Sequence, residues 1–180
     1  MDVIQIKDKQ FKTFIPEADI LKEVERVASE INRDLADANP LFISVLNGSF
    51  MFTADLMKRL TIPCEISFVK LASYEGMSSS GKIKELVGVG LGEDIAGRTV
   101  VIVEDIVDTG LTMQRLLETL RARNPKEIRI ATLLVKPDKL KVDLDIPYVA
   151  MRIPNDFIVG YGLDYEGFGR NYRDIYSVVE

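Results

Sequence analysis

The stretch Val100-Val101-Ile102-Val103-Glu104-Asp105-Ile106-Val107-Asp108-Thr109-Gly110-Leu111-Thr112 places three carboxylates within five residues at the end of an apolar run. Residues 99–104 read as a strand buried on both faces, because the run is continuous and β-branched rather than alternating. Met113, Leu116, Leu117 and Leu120 follow at i, i+3, i+4 and i+7, one face of a helix. A strand feeding a helix is the repeating unit of an α/β sheet, where ligands bind beyond the carboxyl ends of the strands. Neighbouring like charges repel and each is costly to desolvate, so Glu104, Asp105 and Asp108 point to a cation or a hydroxyl-rich ligand. The plainer alternative is a solvated turn with a helix N-cap. The small and hydroxyl residues of Asp108-Thr109-Gly110-Leu111-Thr112 open the helix with free backbone N–H groups, which makes an anion site; ordinary capping is again the alternative. Carboxylates beside an anion cradle suit a phosphorylated sugar, its hydroxyls on Glu104 and Asp105 and its phosphate on the loop.

Upstream, residues 17–36 carry Ile20, Val24, Val27, Ala28, Ile31 and Leu35 on one helical face, with Pro16 suited to the first turn. Residues 41–46 are a second buried strand, closed by Asn47-Gly48, and a helix is expected over 49–60. A strand over 62–71 leads to a polar stretch, 73–81, with three serines, read as a mobile loop. Residues 84–91 look like the other strand of the same hairpin, and Gly92-Glu93-Asp94 with Gly97 makes the next turn. Downstream, 128–135, 148–153 and 157–161 are apolar strands, after which Gly160, Gly162, Gly167 and Gly169 loosen the chain. Alternating strands and helices predict a mainly parallel sheet with helices on both faces. No repeat or linker divides residues 1–180, so one domain is expected.

Composition narrows the chemistry. The 180 residues include no His, one Cys and no Trp, with 23 Lys plus Arg against 28 Asp plus Glu for a net charge of −5. Without imidazole there is no Ser-His-Asp or Cys-His nucleophile and no His-containing zinc site, so acid–base work falls to carboxylates, Lys or Tyr. Cys64 alone forms no internal disulfide, and Met1 to Lys7 lacks the basic start and apolar run of a signal peptide. A cytoplasmic location is expected, with no membrane partner. A pI near 5.0 argues against general nucleic-acid binding.

Residues 100–112 resemble the phosphoribosyl-pyrophosphate motif of type I phosphoribosyltransferases: four apolar residues, an acidic pair, two apolar residues and Asp-Thr-Gly-x-Thr. Leu46-Asn47-Gly48-Ser49, Ser73-Tyr74, Leu134-Val135-Lys136 and Phe157-Ile158-Val159-Gly160-Tyr161-Gly162-Leu163-Asp164-Tyr165 resemble the other signatures of the hypoxanthine-guanine branch, in order, so that the likeness spans roughly residues 40 to 175. The resemblance implies a type I phosphoribosyltransferase fold: a mainly parallel central sheet flanked by helices, a small hood built from the termini and mainly from 145–180, and a mobile flap at 73–82. It implies transfer of ribose 5-phosphate from phosphoribosyl pyrophosphate to N9 of hypoxanthine and/or guanine, giving IMP or GMP and pyrophosphate.

Carried onto this sequence, the resemblance gives Glu104 and Asp105 the ribose hydroxyls, and Asp108 the proton near purine N7. Asp108, Thr109, Gly110, Leu111 and Thr112 take the 5-phosphate. Lys136 donates to the purine O6, Phe157 stacks on the ring and the backbone of Ile158 meets its edge. Asn47, Gly48, Ser73, Tyr74 and Arg170 face pyrophosphate, with the Leu46–Asn47 peptide often cis in the family. Asn47 stands where the family usually has Lys, which removes one cation from that contact. Asp164 is the family's magnesium position, with Glu104 and Asp105 as further candidate metal ligands, and Mg2+ is the implied cofactor. A homodimer or homotetramer is likewise implied.

Other readings compete less well. Gly76-Met77-Ser78-Ser79-Ser80-Gly81-Lys82 nearly matches a P-loop, but Ile83 removes the metal-binding hydroxyl and no helix pattern follows. Asp108-Thr109-Gly110 is also the aspartic-protease triplet, whose chemistry needs two such carboxylates in an all-β setting. A xanthine-preferring transferase and a phosphoribosyl-pyrophosphate-sensing regulatory protein remain as alternatives within the likeness.

Overall fold

The computed structural model describes residues 3–71, 86–87 and 94–179. Continuous apolar runs form its main sheet, in the order β5 (Leu86–Val87), β4 (Glu65–Leu71), β3 (Leu41–Leu46), β6 (Thr99–Val107), β7 (Glu127–Val135) and β8 (Tyr148–Arg152). The pairings from β4 to β8 are parallel, and β5 runs antiparallel to β4. A parallel sheet must be covered on both faces, and it is. Helices α1 (Glu17–Asp34) and α2 (Phe50–Met57) pack with Val101, Val103 and Leu133 on one side. Helix α3 (Leu111–Arg121) packs with Val100, Ile102 and Ile130 on the other. The α1 stripe is buried at the expected positions, Ile20, Val24, Val27, Ala28 and Ile31, each such aliphatic side chain contributing roughly 1.5–3 kcal/mol.

A second, antiparallel sheet has the order β1 (Val3–Ile6), β2 (Lys9–Ile15), β10 (Ile175–Val178) and β9 (Ile158–Val159). The amino-terminal hairpin and β10 go beyond the sequence reading, although the alternation around Phe11, wholly buried, carries the signal. Tyr148–Arg152 pairs with β7 in the main sheet, and the small sheet takes two strands from residues 3–15 and two from residues 158–178.

Element ends are shorter than periodicity suggests. Helix α2 stops at Met57, β4 begins only at Glu65 after Pro63, and β9 ends where Gly160 takes φ +98°. The flap expected over 73–82, with Ser73, Tyr74 and the near-P-loop, lies outside the described residues, as does most of the strand expected over 84–91. Two ties fix the small sheet to the large one. The N–H of Glu17, the first of α1, donates to Asp174 Oδ1 at 2.7 Å, and the Tyr161 hydroxyl donates to Asp55 on α2. Among the described residues no helix is long and apolar enough to cross a membrane.

Candidate active site

The acidic pair lies inside β6 rather than after it, because pairing with β7 continues through Glu104↔Thr132 to Val107↔Val135. Asp105 N–H donates to Glu104 Oε1 at 3.1 Å, and Ile106 N–H donates to Asp105 Oδ1 at 2.7 Å. Both side chains keep some solvent contact yet are crowded by protein on most sides. Desolvation, then repulsion from Asp105, raises Glu104 well above the usual carboxylate range. Burial also raises Asp105, offset in part by hydrogen bonds to its neighbours and by the charge of Arg170. Such a pair is ready for a cation or for hydroxyl donors.

Three residues further, Asp108 lies in a different field. Its Oδ2 is 3.9 Å from Lys136 Nζ and 3.5 Å from Lys139 Nζ. Its Oδ1 is withdrawn from solvent without a hydrogen-bond partner. Lys136 is only 7% exposed, which rules out the plain surface lysine that its place after a strand suggests. Burial pulls its ammonium below the ordinary lysine value, against the raising effect of Asp108. Glu104, Ile106, Val107, Asp108, Thr109, Gly110, Thr112 and Met113 line one open cleft of about 110 Å³. Gly110 opens α3 at φ +80°, and a Cβ there would lie 2.7 Å from Val142 Cγ2. Only glycine fits this entry to the helix, and it keeps the first amides of α3 at the cleft.

The loop after β3 completes one wall. The Leu46–Asn47 peptide is cis. A Cβ on Gly48 would stand 1.6 Å from Asp105 Oδ2, and one on Gly162 would stand 2.0 Å from the Gly48 carbonyl oxygen. Gly48 is thus clasped between the acidic pair and the chain leaving the small sheet. Beneath it, Ser44 Oγ lies 2.6 Å from Ser49 Oγ and 2.7 Å from Thr53 Oγ1, all buried, and Ser49 donates on to the Val45 carbonyl. This hydroxyl trio satisfies groups that would be costly unpaired, and it fixes the loop to α2.

Arg170 Nη2 is 2.7 Å from Asp164 Oδ1, and Nη1 donates to the Gly162 carbonyl at 2.7 Å. Asp164 Oδ2 also accepts the Gly167 N–H. Among the described residues no three His, Cys, Asp or Glu side chains converge on one metal position. Asp164 is paired with Arg170, whose charge also reaches Asp105. Phe157 is 45% exposed, with its ring 5.6 Å from Tyr165 edge-on and 6.1 Å from Phe11, so it is a presented aromatic face and not core. Ile158 follows it in β9, buried and paired to β10.

Sequence reasoning did not single out Lys139, the Ser44–Ser49–Thr53 trio or the Tyr161–Asp55 tie. Each joins a residue outside the quoted motifs to one inside or beside them: Lys139 three residues after Lys136, Ser44 and Thr53 flanking Ser49, and Asp55 opposite Tyr161.

The phosphoribosyl transferase domain family matches residues 16–166, and the chain belongs to this family. Its fold is the type I phosphoribosyltransferase fold. Within the family, the chain is 42% identical over 165 residues to the hypoxanthine-guanine phosphoribosyltransferase of Streptococcus pyogenes serotype M3, covering 91% of this chain and 89% of that one. It is 40% identical over 167 residues to the hypoxanthine phosphoribosyltransferase of Salmonella typhimurium, covering 91% of each. The crystal structure of a hypoxanthine-guanine phosphoribosyltransferase from Bacillus anthracis matches with a TM-score of 0.84 at 37% identity, over 99% of this chain and 100% of that one.

Proposed function

We propose that this protein salvages purines, moving the 5-phosphoribosyl group of phosphoribosyl pyrophosphate to N9 of hypoxanthine and/or guanine, with IMP or GMP and pyrophosphate as products. The observation that carries the reading is Asp108: one oxygen held near two lysines, the other unpartnered, at the mouth of an anion-binding helix start. In the transfer, the bond from the anomeric carbon to pyrophosphate breaks as the bond to N9 forms, and the purine's displaced proton passes to Asp108. The negative field of Glu104 and Asp105 favours the positive charge that develops on the sugar, while the same side chains accept its hydroxyls. Thr109, Gly110, Leu111 and Thr112 receive the 5-phosphate. Lys136 donates to a 6-oxo group and disfavours a 6-amino group, which would set donor against donor. Phe157 offers the ring a stacking face, and the Ile158 backbone meets its edge. Asn47, Gly48, Arg170 and the flap residues Ser73 and Tyr74 face pyrophosphate.

Magnesium fits the donors present. It is usually held by one or two carboxylates together with substrate phosphates, and the chain offers such carboxylates. Asp164 and the Glu104–Asp105 pair would hold it, and when bound it supplies charge neutralisation for the leaving pyrophosphate. The single free Cys64 accords with a cytoplasmic location.

The test is pyrophosphate release from phosphoribosyl pyrophosphate and Mg2+, with hypoxanthine, guanine, xanthine, adenine and uracil offered separately. Turnover with hypoxanthine or guanine is expected. Turnover with xanthine alone would replace the substrate assignment, and binding of phosphoribosyl pyrophosphate without turnover on any base would make the protein a sensor.

A further inference from the structure

Two backbone hydrogen bonds frame Asp108. The Val107 carbonyl accepts the Lys136 N–H at 3.1 Å, and the Thr109 carbonyl accepts the Lys141 N–H at 2.9 Å. Between these anchors the chain makes a single 3-10 turn, Pro137–Lys139, closed by the Lys139 N–H on the Lys136 carbonyl at 3.1 Å. Pro137 opens the turn, where its fixed φ is suited and its missing N–H costs nothing. The result is a clip laid along residues 107–109 that returns Lys139 to Asp108. Lys139 Nζ comes nearer to Oδ2 than Lys136 Nζ does, 3.5 Å against 3.9 Å. The remaining oxygen of Asp108, Oδ1, has no protein donor.

We propose that Lys139 is a positioning residue for the phosphoribosyl transfer, holding Asp108 through Oδ2 so that Oδ1 is free for the purine proton. The proposal rests on the assignment of Asp108 as proton acceptor. It divides the work of the two lysines. Lys136, buried, points its ammonium toward the region where a 6-oxo group would be read, and an ammonium committed to the base is less available to orient a carboxylate. Lys139 is more than a third exposed, and it is free of the base in this assignment. The other charged groups nearby do not substitute for it: Glu104 lines the same cleft with like charge, and Asp156 acts on Lys136. The 140–144 segment meets Gly110 with Leu140, Val142 and Leu144, all apolar.

Without that hold the Asp108 carboxyl can turn, so the effect is read as a split of kcat against KM. Lys139→Gln is expected to lower kcat for hypoxanthine about 3- to 10-fold, a partly exposed pair being screened by solvent. KM for phosphoribosyl pyrophosphate should stay within about twofold, and Lys139→Arg should return kcat to within about twofold of its original value. A kcat unchanged in Lys139→Gln, or lowered as far in Lys139→Arg, overturns the proposal. Asp108→Asn is measured alongside. If that variant keeps wild-type turnover, the assignment of Asp108 itself fails. If Asp108→Asn loses turnover while Lys139→Gln keeps its kcat, only the role of Lys139 fails.

Discussion

Glu104 and Asp105 share a strand-to-helix segment with Asp108, yet the two acidic positions have different neighbours. The pair is crowded by protein, self-repelling and only partly offset by Arg170, so its proton affinity is raised. Asp108 has two ammonium groups within 4.0 Å of Oδ2. The difference suits two tasks. A position that waits for a ligand can carry uncompensated charge, since the ligand supplies what is missing. A position proposed to accept a proton is held by the protein's own cations.

The severest test of the contrast is Asp108→Asn. Turnover should fall by roughly 10²- to 10⁴-fold, the usual worth of a positioned proton acceptor, while phosphoribosyl pyrophosphate binding changes little. Loss of binding with turnover intact at saturation would move Asp108 to the recognition side of the comparison. Next is Gly48→Ala, whose methyl would displace the Asp105 carboxylate. Steady-state kinetics should give a loss of about 10²-fold in kcat/KM for phosphoribosyl pyrophosphate, as misplacement by about 1 Å commonly does. Unchanged kinetics would mean that Asp105 can move without consequence.

Lys136→Ala sharpens the other side. KM for hypoxanthine should rise roughly 10- to 100-fold, the scale of one lost hydrogen bond to a charged donor. An unchanged kcat/KM would exclude Lys136 from base recognition. The smallest effect concerns stability. Because the folded protein raises the proton affinity of Glu104, its ionised form costs stability at neutral pH, and that cost vanishes as pH falls below the carboxylate range. Glu104→Gln should therefore raise Tm at neutral pH by about 2–4 °C, the shift that ~1 kcal/mol gives a chain of this length, and give no rise in acid. A lower Tm at neutral pH would show that Glu104 is compensated after all.

Much of the site was legible because its residues are contiguous. The run from Val100 to Thr112 supplies strand, acidic pair, Asp108 and the start of α3 in one piece, and backbone pairing alone brings Lys136 beside it through Val107. What escaped the reading depends on contacts between distant segments. The continuation of β6 through two carboxylates runs against their strand propensity and is imposed by the ladder with β7. The clasp on Gly48 involves Asp105 and Gly162, 57 and 114 residues further on, which no local pattern joins. The amino-terminal hairpin was missed because β1 is short and β2 carries Lys9 and Lys12, with Phe11 its one fully buried position.

The bond from Glu17 to Asp174 spans 157 residues, and it has a consequence for synthesis. Helix α1 follows Pro16, which has no side-chain group to cap it, and the cap comes from a residue made 157 residues after Glu17. Strand β2 has β1 and β10 as its neighbours, so its edge opposite β1 stays open until residues 175–178 are made. A ribosome-bound chain can lay down β3, β6, β7 and the loop of Asp108 while Phe157, Asp164 and Arg170 are still unmade. The small sheet is thus completed last, by the strand that pairs β2 with β9, and a chain not yet made that far holds the cleft around Asp108 without Phe157, Asp164 and Arg170.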